Sequence, residues 1–154
     1  MKNLIRHIFA AGLAVAVIGA GLAATQPTFA DVVKDRRAEM KKIGKANKAL
    51  KNAVKANRKA AARRQARNLV ASIDRVAAAG MWPRGTDRKA LGAKATRAKP
   101  LIWRKWGTFE KRFATMRKTA SAVAGGNMAA AKNIGKSCGG CHKHYRAKKG
   151  KRKK

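Results

Sequence analysis

Cys138 and Cys141 are the only cysteines in the chain, and His142 directly follows the second. Gly139 and Gly140 fill the gap, giving Cys-Gly-Gly-Cys-His. On a helix, positions i, i+3 and i+4 share one face. Two thiols and an imidazole at this spacing therefore reach a single flat ligand. This is the attachment pattern of a c-type haem: each thiol adds across a vinyl group of the porphyrin, and the imidazole meets the iron from the same side. Three other chemistries use similar residues. A thioredoxin-type redox pair needs a strand–helix context, and Ala129-Ala130-Ala131-Lys132-Asn133-Ile134 ahead of Cys138 carries no strand signal. A structural zinc site takes four ligands, and Cys138, Cys141, His142 and His144 supply them only by crowding into one stretch. A disulfide is strained across so short a helical span. Haem attachment is the reading favoured over these three.

The N-terminus predicts export. Lys2 and Arg6 form a basic start, Ile8 to Ala24 is almost wholly small and apolar, and Thr28-Phe29-Ala30 places small residues at the −3 and −1 positions of a cut. Residues 1–30 thus read as a secretory signal peptide, with Asp31 as the mature N-terminus. A retained anchor is the competing reading, but the apolar run is short for a span and ends at a cleavage site. Export fits covalent haem, which is attached on the far side of the bacterial inner membrane. No later segment is apolar enough to span, so a soluble periplasmic protein is expected.

The remaining chain has the length of one domain. It is rich in Ala and Lys and poor in β-branched residues, which favours helices. Four segments carry apolar residues on one stripe, the first at intervals close to multiples of 3.5 and the other three at alternating steps of three and four. They are Val33, Met40, Ile43, Leu50, Val54; then Ala62, Ala66, Leu69, Ile73, Val76; then Ile102, Trp106, Phe109, Phe113, Met116, Ala120, Val123; and Ala131, Ile134, Cys138, Cys141, Tyr145. Gly80 stops the second, Pro100 starts the third, and Gly125-Gly126 end it. This predicts an all-α, antiparallel four-helix bundle over 31–147, with the cysteines on the buried seam near the C-terminus. The long connection from Gly80 to Lys99 contains Met81 and Trp82, too apolar for a free loop, which are expected to fold over one end. Residues 148–154 read as a disordered basic tail.

These residues resemble the class II cytochromes c, the cytochrome c′ group. Arg36-Arg37-Ala38-Glu39-Met40-Lys41-Lys42-Ile43-Gly44 is similar to that family's first helix. Trp82-Pro83-Arg84-Gly85-Thr86 is similar to its second–third connection, and Thr96 to Trp103 to its entry into helix three. Cys138 to Arg146, with Tyr145-Arg146 behind the histidine, resembles its haem helix. The resemblance covers essentially the whole chain after the leader. It implies one covalent haem c, thioethers at Cys138 and Cys141, and His142 as the proximal iron ligand. It places Arg36 and Arg146 in the haem vicinity, where Arg146 can pair with a propionate, and it sets Met40 on the distal side. Two outcomes stay open there. A coordinating Met40 makes a low-spin, six-coordinate haem suited to single-electron transfer. A Met40 that only packs, as core methionines usually do, leaves a five-coordinate haem that binds nitric oxide or carbon monoxide. Neither turns over an organic substrate, so no enzyme activity is expected. His144 falls two residues on, off the face of His142, and is expected to be solvated.

Charge is the unusual property. The chain carries 39 Lys and Arg against 6 Asp and Glu, a net +33. A surface this basic steers acidic partners in a salt-dependent way. An acidic redox protein or an anionic membrane face is the expected partner. The rival class is a histone-like nucleic-acid binder, reading phosphate without sequence. Export and the core spacing of Trp103, Trp106, Phe109 and Phe113 argue against it. Lys41, Lys42, Lys45, Lys48 and Lys51 would repel across a first-helix dimer interface, so a monomer is expected, with a homodimer as the alternative.

Overall fold

A computed structural model describes residues 27–149. The leader as far as residue 26, and residues 150–154 of the basic tail, lie outside them. The described residues form six α-helices and no β-strand element: α1 (Phe29–Lys55), α2 (Lys59–Ala77), α3 (Arg88–Ala95), α4 (Leu101–Arg104), α5 (Trp106–Ala124) and α6 (Ala131–Tyr145). The four long ones are the bundle. α1 packs on α2, α2 on α5 and α5 on α6, and α6 closes back on α1.

α1 opens on a capping box: the Thr28 hydroxyl accepts from Asp31 N, and the Asp31 carboxylate accepts from Thr28 N. A cut after Ala30 would fall within this first turn and remove Thr28, a cap worth about 1 kcal/mol. α1 and α2 meet through small residues, with Ala46, Ala53, Ala62 and Ala66 all buried beside Leu50 and Leu69. The chain turns between them at Asn57, whose φ of 51° is one that Asn tolerates better than most residues.

The predicted stripe of α2 is buried at every position: Ala62, Ala66, Leu69, Ile73 and Val76. That of α1 is buried at Val33, Ile43 and Leu50, whereas Met40 and Val54 are only half-buried. Two charged residues, Arg36 and Glu39, lie in the same buried face. The Glu39 carboxylate takes Lys42 Nζ at 2.6 Å and Arg75 Nε at 3.1 Å, clamping α1 to α2. Burial opposes its ionisation, but the two cations outweigh this and hold the carboxyl below the usual glutamate range. The folded state therefore binds fewer protons than the unfolded one. The clamp is fully effective above the unfolded value of about pH 4.3 and is lost as pH falls below it. Glu39→Gln is expected to lower the urea midpoint at pH 7, with the gap to wild type closing towards pH 3. A gap independent of pH would overturn the assignment.

The long connection folds over one end, as its apolar residues predict. Trp82 is buried and donates Nε1–H to Val76 O at 2.6 Å. It contains the short α3, which the sequence reading treats as loop. The predicted third helix breaks at Lys105 (φ −123°, ψ 46°) into α4 and α5. The break buries Ile102 and lets Trp103 donate Nε1–H to Trp82 O at 2.9 Å. Phe109 joins the layers, edge-on to Trp82 at 4.7 Å, Phe113 at 5.0 Å and Tyr145 at 5.0 Å. Such pairs contribute about 0.5–1.5 kcal/mol each beyond their burial.

Candidate functional site

α6 reaches Cys138 in helical form and continues to Tyr145, whose buried ring pins its end. A short antiparallel bridge ties this end to the connection: Lys99 N donates to Tyr145 O at 3.0 Å, and Ala147 N to Arg97 O at 2.8 Å. Between α1, α6 and segment 93–98 lies a cavity of about 530 Å³, within the size range of cofactor pockets. Cys141 and His142 face it from α6, Met40 from α1, and Trp82, Ile102, Phe109 and Tyr145 floor it with apolar surface. Two donors suited to the axial positions of an iron thus line one cavity from two different helices.

Cys138 lies one turn before Cys141 and is not on the cavity wall; its thiol points to Met116 Sδ at 3.7 Å. Both cysteines are free and half-buried, at the edge of the core rather than on the fully buried seam expected of them. α6 buries Ala131, Ile134 and Tyr145 instead, leaving the cysteine face accessible to a large flat group. Burial pushes both thiols up, Cys141 to about 11, so they are neutral. Burial likewise lowers His142, and the nearby Arg146 and Arg97 charges add to the effect. The imidazole is therefore neutral at pH 7, the form that ligates metals. His144 is exposed, as expected of its position. Among the described residues no group of three or more His, Cys, Asp or Glu is placed to hold a metal ion.

The space around these groups suits a haem. A side chain added at Gly139 or at Gly44, one turn beyond Met40, would meet no atom within 4 Å. The nearest atom for one at Gly140 is the tip of Arg112 at 3.8 Å. The donor set of two thiols, an imidazole and a thioether fits covalent attachment with axial ligation.

Arg36 and Arg146 both line the cavity but differ in freedom. Arg146 is exposed. Arg36 is buried, and its guanidinium is committed to the connection. Nη1 donates to Met81 O at 3.2 Å and Thr86 Oγ1 at 3.1 Å, and Nη2 to Thr86 O at 2.9 Å and Thr96 Oγ1 at 3.3 Å. It also stacks 4.4 Å from the Trp82 ring centroid. No carboxylate faces it, and burial lowers its pKa to about 10. Arg36 is first of all the pin that holds the cavity's outer wall. Sequence spacing does not reveal this, because its partners lie 45 to 60 residues away. Arg37, Lys94, Arg97 and Lys149 also line the cavity and stand out in sequence only as further basic residues.

The comparisons with known proteins agree with this geometry. The family model for Cytochrome C′ matches residues 31–146. No curated protein sequence matches the chain. Among solved structures, the chain is similar to cytochrome c′ from Thermochromatium tepidum (22% identity, 79% of this chain and 98% of that one, TM-score 0.69). It is similar to the same protein from Rhodobacter spheriodes (22%, 79% and 99%, TM-score 0.68). It is also similar to that from Rhodopseudomonas palustris (26%, 78% and 98%, TM-score 0.63). The chain belongs to the cytochrome c′ family, four-helix-bundle proteins that carry one covalent haem c and serve electron transfer or gas binding rather than catalysis.

Proposed function

We propose that this protein is a periplasmic single-electron carrier whose haem is attached through Cys138 and Cys141 and ligated by His142 and Met40. The carrying observation is that Met40 and His142 line one apolar cavity from facing helices. Bound there, a haem supplies a one-electron iron couple, and His/Met ligation raises its potential. The chain's part is to hold the imidazole neutral, present the thioether, and exclude water with Trp82, Phe109 and Tyr145. Met40 is half-buried and unbranched, so its sulfur can reach inward without repacking a filled core. The signal-like leader supports the periplasm, the compartment typical of this family. Among the described residues no helix is long and apolar enough to cross a membrane. Lys41, Lys42, Lys45, Lys48 and Lys51 are all exposed along α1, which supports a monomer. Trp82, Trp106, Phe109 and Phe113 pack on one another rather than offering a stacking platform, which weighs against nucleic acid.

The second reading is a five-coordinate haem that binds nitric oxide or carbon monoxide in the space beside Met40. Absorption spectra separate the two. Low-spin spectra are expected in both oxidation states. Met40→Ala is expected to turn them high-spin and to raise carbon monoxide affinity at least about tenfold, since the ligand no longer competes with sulfur. A high-spin wild type unchanged by Met40→Ala would overturn ligation by Met40.

A further inference from the structure

The mouth of the cavity is ringed by Arg37, Lys41, Lys94, Arg97, Arg146 and Lys149, and no carboxylate lines it. These residues come from α1, from the end of α3 and the segment after it, and from the end of α6, so only the fold assembles them. The protein's acids are engaged or placed elsewhere. Asp31 and Asp87 cap helices, Glu39 clamps α1 to α2, Asp74 pairs with Arg117, and Glu110 lies in a groove between α2 and α5. Asp35 is exposed on α1 and does not line the cavity. Two of the rim cations are held in place: Arg37 Nη1 donates to Ala95 O at 3.2 Å, and Arg97 Nε to Ala147 O at 2.8 Å. Each guanidinium commits one donor there and keeps others for a partner. Even if both propionates of a bound haem met this rim, they would neutralise only two of its charges.

Resting on the electron-carrier reading above, we propose that this rim is the docking surface for a redox protein that displays a cluster of carboxylates around its own redox centre. A ring of one sign around a concave mouth steers and orients an oppositely charged partner over the group inside. Charges within about 10 Å act together at 0.1 M salt. A membrane is the poorer occupant. Interfacial binders combine basic residues with apolar side chains that insert, and among the described residues Phe29 is the only large hydrophobic side chain that is exposed. Phe29 sits against Gly85, and neither residue lines the cavity.

The test uses the holoprotein and an acidic plant-type ferredoxin as electron donor, followed by stopped-flow absorbance. One triple variant, Arg37→Glu/Lys41→Glu/Lys94→Glu, reverses the rim. A control triple, Lys59→Glu/Arg64→Glu/Arg67→Glu, makes the same change of net charge on the exposed face of α2, at the other end of the bundle. At low ionic strength the rim variant is expected to lose at least about tenfold in second-order rate and the control less than about threefold. The gap should close near 0.5 M salt. Equal slowing of the two triples would reduce the effect to net charge and overturn the surface. So would a rim variant that reacts like wild type, or one that loses only its binding to phosphatidylserine vesicles. Failure of the underlying reading looks different: the wild type itself would be high-spin and bind carbon monoxide as tightly as Met40→Ala, whichever triple slows more.

Discussion

Arg36→Met is expected to cost the fold about 3 kcal/mol. The substitution keeps an unbranched apolar stem and removes the guanidinium. Two effects oppose each other. The wild type pays for burying a charge that no carboxylate faces, and methionine relieves that. Against this, Met81 O and Thr86 O lose the guanidinium donors they accept from. An unpartnered buried acceptor costs about 1–3 kcal/mol, and the contact with Trp82, of order 1 kcal/mol, goes as well. The threonine hydroxyls are buffered, since Thr86 Oγ1 still donates to Pro83 O and Thr96 Oγ1 still accepts from Ala98 N. The orphaned carbonyls decide the sign. Arg36→Lys is expected to rescue little, because an ammonium cannot serve four acceptors laid out for a planar fork. Urea unfolding of the holoprotein measures the effect. A change below about 0.5 kcal/mol would mean that the connection is held by Trp82 alone.

His142→Gly is expected to leave haem covalently bound, through Cys138 and Cys141, while abolishing the low-spin spectrum. Millimolar imidazole is expected to restore it, because the substitution leaves a space of the ligand's own shape. Failure of imidazole to restore the spectrum, in a variant that still carries haem, would remove His142 from the iron. The environment of the residue adds a pH signature. Burial, with Arg146 and Arg97 beside it, lowers the pKa of the free imidazole. The neutral form persists to lower pH than in an unperturbed histidine, and acid detachment of the ligand is resisted. Arg97→Gln is expected to weaken that resistance, moving the acid transition of the spectrum upward in pH.

The fold and the site were legible in the sequence to unequal degrees. The cysteines, His142 and the buried stripe of α2 were legible because they depend on spacing within one helix. So was the fold-back of Met81 and Trp82, which are too apolar to stay in water. The break at Lys105 was not legible. The run from Ile102 to Val123 keeps a helical period across it, and the interruption is favoured only because Trp103 finds the carbonyl of Trp82, 21 residues earlier. The burial of Glu39 was not legible either, since it depends on Arg75 in the neighbouring helix. Arg36 lines the cavity, but its four hydrogen bonds run to the connection, 45 to 60 residues away, and no local spacing reveals them.

By itself, then, the sequence determined that two thiols and an imidazole stand at i, i+3 and i+4 of one helix, and it determined the number of long helices. Residues at i, i+3 and i+4 share one helix face whatever the helix packs against, and a repeated apolar stripe needs a partner face of the same kind. Only the tertiary structure decided that Met40 of α1 shares a cavity with His142 of α6, that Arg36 closes its wall, and that six cations ring its mouth without a carboxylate among them. Helix periodicity specifies which residues share a face. Which faces meet is settled by packing between elements far apart in the chain, where side-chain volume and the satisfaction of buried polar groups choose the arrangement.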